Sequence, residues 1–165
     1  MPPEYRFRPL VLADRALFEH WLAQPHIAGW WGDAETEWAL IEEDWREGRP
    51  IDMRIVEIGG HPFAYTQDYE AHAYDMPHYA DLPRGARGMD SFLGDPAYLG
   101  QGHGAGFIRA RARELLEAGA PLVAVDPATD NQRAIAAYRR AGFRSVGTRT
   151  SEDGTPVRLM TLERD

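Results

Sequence analysis

The sequence predicts a mixed α/β fold of the α+β kind, with a central sheet flanked by helices. Three observations lead there. Short β-rich runs alternate with runs of helical period along the whole chain. Turn signals rather than linkers separate them, and no internal repeat occurs. At 165 residues there is room for one core and little for a second, so residues 1–165 are expected to form a single domain.

The elements follow in order. Residues 5–10 read as a first strand. Asp14 is placed to cap a helix reaching about Ala23, with Leu17, Phe18, Trp21 and Leu22 on one face. After the aromatic loop Trp30-Trp31-Gly32, a second helix is expected over residues 35–47. Residues 51–58 and 63–69 are β-rich and flank Gly59-Gly60, the best hairpin signal in the chain. Residues 71–87 carry prolines and histidines and are expected to be irregular. Residues 88–93 are a candidate fourth strand. A helix over 105–118 is stopped by Gly119-Ala120-Pro121, and a short apolar strand, 122–126, follows. A helix over 131–141 ends at Gly142. Residues 143–150 and 157–163 close the chain as a hairpin across Asp153-Gly154.

Composition narrows the function. Hydrophobic residues make up 44% and charged residues 27%, values of a globular rather than a disordered chain. No apolar run approaches the ~20 residues of a membrane span. The start, Met1-Pro2-Pro3-Glu4, has neither the basic nor the apolar part of a signal peptide. With no cysteine, disulfides, thiolate metal sites and cysteine nucleophiles are excluded. Charge is divided unevenly: residues 1–100 hold 8 Arg against 18 acidic residues, and residues 101–165 hold 10 against 8. An acidic part beside a mildly basic one suits a cationic acceptor and an anionic cofactor respectively. Part of the acid, such as Glu42, Glu43, Asp44 and Glu47, reads simply as a solvated helix face. No Arg-rich stripe with interleaved aromatics appears, which argues against nucleic acid.

The main motif is the run Gly100-Gln101-Gly102-His103-Gly104-Ala105-Gly106, just before a predicted helix. Glycines let a ligand approach the backbone, and free N–H groups at a helix start attract phosphate oxygens. A pyrophosphate is the natural guest. Gly100, Gly102 and Ala105 also match the dinucleotide fingerprint, with Asp126 about 20 residues on. That unit needs a buried strand running into the glycines, and Asp95-Pro96-Ala97-Tyr98-Leu99 is a poor one. The second pattern, Gln101-x-x-Gly104-x-Gly106, resembles the signature of GNAT-superfamily N-acetyltransferases. Asn131, 25 residues after Gly106, opens a second block with Arg133, Ala134, Ile135, Tyr138, Ala141, Gly142 and Phe143. It resembles the family's next helix, where an Asn contacts the coenzyme and a Tyr lies near its sulfur.

The resemblance implies a GNAT-type domain that binds acetyl-CoA at a splayed strand pair, with Gln101, Gly102, His103, Gly104, Ala105 and Gly106 around the pyrophosphate. Asn131, Ala134 and Tyr138 complete the implied coenzyme contacts. His103 is expected to point outward. Further stretches, Pro25-His26-Ile27, Trp30-Trp31-Gly32 and Gly88-Met89-Asp90-Ser91, are similar to aminoglycoside 6'-N-acetyltransferases of the Ib type. That similarity implies that Asp75, Asp90, Asp126 and Tyr138 line or serve the acceptor pocket. Siderophore-biosynthesis acyltransferases share the His26, Trp30-Trp31 and Gly-x-Asp patterns, so a lysine-derived amine is the alternative acceptor. A non-catalytic acyl-CoA-binding module on the same fold is the alternative class. A cytoplasmic protein, monomer or homodimer, is expected.

The chemistry needs few groups. The amine must lose a proton, attack the thioester carbon and release a thiolate. Asp90, at a strand end, is the first candidate base; Asp126, or a water, is the second. Tyr138 is the candidate acid for the thiolate. The oxyanion is expected on a backbone N–H such as that of Phe92 or Leu93. Trp30 and Trp31 offer an aromatic wall for the acceptor, or core packing. His72, Asp75, His78 and Asp81 recur every three residues as metal ligands can, but Pro77 and Pro83 break any helix that would align them. No metal is expected.

Overall fold

Seven strands and four helices succeed one another in a computed structural model that describes residues 3–164; Met1, Pro2 and Asp165 lie outside the described residues. They are β1 (Tyr5–Pro9), α1 (Arg15–Leu22), α2 (Ala34–Glu47), β2 (Ile51–Ile58), β3 (His61–Glu70), β4 (Arg87–Leu93), α3 (His103–Glu117), β5 (Leu122–Val125), α4 (Gln132–Ala141), β6 (Arg144–Thr150) and β7 (Pro156–Glu163). The strands form one sheet in the order β1-β2-β3-β4-β5-β7-β6. β1 and β2 pair antiparallel, as do β5 and β7 and also β6 and β7, whereas β4 and β5 run parallel. The sheet is therefore mixed. No helix among the described residues is long and apolar enough to cross a membrane. The chain forms two compact units, one comprising the chain up to Gln67 with Ser91–His103, the other Asp68–Asp90 with the chain from Gly104 onward.

The first unit is built on aromatic residues. Phe18 and Trp21 of α1, Trp38 of α2, Tyr65 of β3 and Phe92 of β4 are all buried in one apolar cluster. The Phe18 ring centre lies 5.1 Å from Tyr65 and 5.8 Å from Phe92, within the range where aromatic pairs gain beyond simple burial. Gly94 is required here, because a Cβ on it would stand 2.2 Å from the Trp21 indole. Asp33 caps α2 by accepting the Thr36 N–H at 2.9 Å, and Gly48 ends that helix in the left-handed region. Asp14 does not cap α1. Its two oxygens each accept a guanidinium N–H of Arg8 at 2.9 Å, and one also takes the Val11 N–H. A two-pronged charged partner outcompetes a helix amide.

The second unit turns on Asp68. Its side chain is almost wholly buried and accepts from Arg87 (2.6 Å) on one oxygen and from Arg111 (3.1 and 3.0 Å) on the other. Arg111 lies on α3, so β3, β4 and α3 meet at one carboxylate. α3 starts at His103, two residues earlier than the sequence suggests, because the last glycines of the run are themselves helical. β5 joins in register, with Arg87 opposite Val123 and Gly88 opposite Ala124.

Removing this carboxylate should be severe. Asp68→Ala leaves two guanidinium groups without their shared anion, and losing one member of a buried ion pair typically costs about 3–5 kcal/mol. Chemical denaturation should place the variant lower by that order. A loss below ~1 kcal/mol would mean that the cluster contributes little to stability.

Candidate active site

Strand alternation decides which side chains meet. Successive residues of a strand face opposite ways, so with Asp68 and Arg87 turned toward Arg111, the neighbours Tyr69 and Gly88 take the other face. Tyr69 fills the space that a side chain at 88 would need: a Cβ on Gly88 would lie 2.6 Å from its ring. Two residues beyond Gly88 comes Asp90, within β4 and on that same face by the same alternation, and two beyond its partner Ala124 comes Asp126, just past the end of β5. α4 contributes Tyr138, buried and packed edge-on to Phe143 with ring centres 5.7 Å apart. The stretch between β3 and β4 adds Tyr79, wholly buried, and His78, whose Nε2–H donates to Asp126 Oδ2 at 2.8 Å. Glu152, from the β6–β7 turn, reaches to 3.6 Å from the other ring nitrogen of His78.

The electrostatics are those of phenols beside carboxylates. Burial pushes the Tyr69 hydroxyl well above its ordinary range, and Asp90, Asp126 and Glu152 push it further. Tyr138 is raised by burial and then by Asp90 and Asp126. Tyr79 is raised for the same reasons. His78 feels opposite influences: burial pulls it down, but the hydrogen bond to Asp126 and the charges of Asp126, Glu152 and Asp90 leave it above its ordinary value. The unit thus holds a proton donor, Tyr138, near two partly exposed carboxylates able to take a proton.

The glycine run has the geometry of a ligand cradle. Gly100 (φ +73°) and Gly102 (φ +83°) occupy the left-handed region. A Cβ built on Gly104 meets nothing within 4 Å, so the surface of this helix start is bare. The first amides of α3 have no carbonyl of their own helix to bind. Gln101 spends its side-chain amide on the Ala97 carbonyl at 2.7 Å. His103 does not point outward: its Nδ1 is hydrogen-bonded to the Tyr5 hydroxyl at 3.1 Å and its ring packs near Phe63 and Tyr98, because the imidazole completes an aromatic cluster. Asn131 caps α4, its Oδ1 accepting the Ala134 N–H at 3.2 Å.

Asp90, Asp126 and Tyr138 are therefore brought together. Trp31, in the first unit, packs on Phe92 with ring centres 5.0 Å apart, while Trp30 is 49% exposed. Asp75 is exposed. The three-residue His/Asp pattern is dispersed: His72 donates to the Leu82 carbonyl and His78 to Asp126. Tyr69, Tyr79 and Glu152 were not singled out by sequence, and His78 only as a metal candidate. The hint for Tyr69 was its position beside Asp68 in a β-rich run.

Comparison with known proteins settles the family. The acetyltransferase (GNAT) domain family matches residues 11–150. The chain belongs to the GNAT acetyltransferase family. It is 31% identical over 155 residues to the aminoglycoside N(6')-acetyltransferase type 1 of Klebsiella pneumoniae, covering 89% of this chain and 77% of that one. Among solved structures, AAC(6')-Ib in complex with paromomycin and acetyl-CoA superposes with a TM-score of 0.84 at 30% identity, covering 98% of this chain and 94% of that one. AAC(6')-Ib with coenzyme A and kanamycin gives 0.82 at 27%, over 98% and 95%. The mixed sheet and helices of this GNAT domain are those anticipated from the motifs.

The tyrosines of this GNAT domain provide a pH test. A phenol whose ionisation is raised in the fold adds stability that is complete below about pH 10, its unfolded value, and is lost as pH climbs toward the folded value. Absorbance titration should find Tyr69, Tyr79 and Tyr138 still protonated when exposed tyrosines have ionised, with alkaline unfolding releasing them together. Seven tyrosines ionising together near pH 10 without unfolding would contradict the buried cluster.

Proposed function

We propose that this protein transfers the acetyl group of acetyl-CoA to a primary amine, the 6'-amino group of an aminoglycoside or a similar polycation, as a single cytoplasmic domain. The observation that carries this reading is the meeting of Asp90, which lies in the middle of β4 rather than at a strand end, Asp126, just past β5, and the buried Tyr138 hydroxyl of α4. The names of its relatives and the ligands of the solved AAC(6')-Ib complexes support the same acceptor class.

The chain's residues fit the co-substrate. Acetyl-CoA supplies the activated acetyl group, and its pyrophosphate suits the N–H groups from Gln101 to Gly106 at the positive end of α3. The open space at Gly104 lets phosphate oxygens approach the main chain. Gln101 and His103 then act through backbone amides, because their side chains are held by Ala97 and Tyr5. Asn131 keeps its side-chain NH2 to offer to the coenzyme beside Ala134. Asp75 presents an exposed carboxylate to an acceptor, while Trp31 backs the aromatic core of its own unit. Asp90 or Asp126, directly or through a water, takes the proton of the attacking ammonium. The Tyr138 hydroxyl gives its proton to the departing thiolate, so one proton is released overall for each acetyl group transferred.

Thiol release from acetyl-CoA, measured against kanamycin, ribostamycin, spermidine and a hydroxylated lysine, tests the reading. Release with the aminoglycosides is expected, with an acceptor KM that rises with salt because exposed charges are screened over ~10 Å at 0.1 M. Release with the lysine derivative alone would replace the aminoglycoside by the siderophore-type acceptor. A folded protein that binds acetyl-CoA yet releases thiol with none would be a binding module.

Two variants separate the roles. Gly104→Val places a side chain where phosphate oxygens approach and should raise the acetyl-CoA KM while the fold survives. Tyr138→Phe keeps the ring against Phe143 and removes only the acid. Its kcat should fall by about 10²–10⁴, the usual value of general-acid help, with Tm nearly unchanged. Wild-type kcat, confirmed in single turnover, would remove the acid role.

A further inference from the structure

We propose that His78 is a positioning residue of the acceptor site: held as an imidazolium between Asp126 and Glu152, it aims the Asp126 carboxylate and couples acceptor binding to pH. The coupling rests on the acceptor role given to Asp126 above; the pairing does not.

The geometry begins with burial. His78 lies in the short turn Pro77–Tyr79, and its side chain is 0% exposed. Nε2 is 2.8 Å from Asp126 Oδ2, and Nδ1 is 3.6 Å from Glu152 Oε2, without a hydrogen bond of its own. A carboxylate thus faces each ring nitrogen. A neutral imidazole carries one N–H and one lone pair, so in the neutral form a lone pair is aimed at an anion. With both nitrogens protonated, each carboxylate faces an N–H. The groups acting on the ring come from every side: Asp126 after β5, Glu152 from the β6–β7 turn, Asp90 from β4, and Tyr79, its tilted ring centred 4.4 Å away, from its own turn. β6 also packs against this turn, and its arginines, Arg144 and Arg149, are exposed to solvent.

The chemistry follows from that placement. One imidazolium offsets one of three nearby carboxylates and orients Asp126 through a charge-assisted hydrogen bond. An acceptor ammonium arriving at Asp126 competes with the imidazolium for the same oxygens. Cation binding and loss of the His78 proton are therefore linked, and the linkage acts equally in both directions.

Two variants and one titration test this. His78→Gln keeps an N–H donor on Asp126 but carries no charge to compete with the acceptor, so its kanamycin KM should lie below that of wild type at about pH 6 and lack the break in pH dependence that wild type displays above about pH 6.5. His78→Leu also loses the donor, and its kanamycin KM should exceed that of His78→Gln about tenfold, the value of a hydrogen bond to a charged group, while the acetyl-CoA KM stays put. Equal kanamycin KM values in the two folded variants, or a break that survives in His78→Gln, would overturn the proposal. His78→Gln decides alone where His78→Leu fails to fold. NMR titration of the ¹³C-labelled imidazole, with His78→Gln assigning the signal, needs no acceptor: Asp126→Asn should lower its midpoint, and an unmoved midpoint would overturn the pairing. Should wild type fail to acetylate kanamycin at all, the aminoglycoside reading and the coupling fall together, while the titration still decides the pairing.

Discussion

Asp68 constrains more of this molecule than its position suggests. Its two oxygens are taken by Arg87 of β4 and Arg111 of α3, and a carboxylate so deeply buried is tolerable only when paired and hydrogen-bonded. Orienting Asp68 and Arg87 toward α3 obliges Tyr69, Gly88 and Asp90 to take the other face. The pairing of Gly88 with Ala124 is the last of the β4–β5 register, and Asp126 follows just past the end of β5. α3 opens with the last glycines of the run, Gly104 and Gly106, so the same ion cluster ties the strand that bears Asp90 to the helix these glycines begin.

That arrangement has an electrostatic consequence. Burial and nearby carboxylates hold the phenols of Tyr69, Tyr79 and Tyr138 protonated. Such a phenol is a dependable hydrogen-bond donor but a reluctant acid. An ordinary tyrosine, near 10, already donates uphill to a thiolate whose conjugate acid is near ~8.5. A cation at Asp90 and Asp126, in the proposed reaction, cancels the field that retains the Tyr138 proton. In the proposed reaction the acceptor therefore brings both the nucleophile and the charge that readies the acid.

Most of the architecture was legible because its causes are local. The apolar spacing of α4, the capping Asn131, the stop at Gly142 and the Gly59-Gly60 hairpin are each written within a dozen residues. Asp90, Asp126 and Tyr138 were legible as family motifs. Two of the misses arise from partners distant along the chain. His103 turns inward because Tyr5, 98 residues away, meets its imidazole. His78 finds Asp126 across 48 residues. Asp14 abandons the helix cap for Arg8, only six residues back, because the two-pronged guanidinium outcompetes a helix amide. Tyr69 reads in sequence as an ordinary strand aromatic, and only the bare backbone of Gly88 reveals why its ring lies where it does.

A site that recruits a cation by charge meets a contradiction when that cation must become a nucleophile. Carboxylates that bind an ammonium also raise its affinity for the proton it has to lose. Three carboxylates, Asp90, Asp126 and Glu152, without compensation would hold the acceptor firmly and keep it unreactive. An imidazolium at His78 weakens that hold by one charge without exposing a cation to solvent, since its ring is wholly buried. It also gives the two carboxylates different partners: Asp126 is engaged by His78, while Asp90 acts on the phenols of Tyr69 and Tyr138. In the proposed reaction such a difference allows two similar acids to divide the work, one orienting the ammonium and the other accepting its proton.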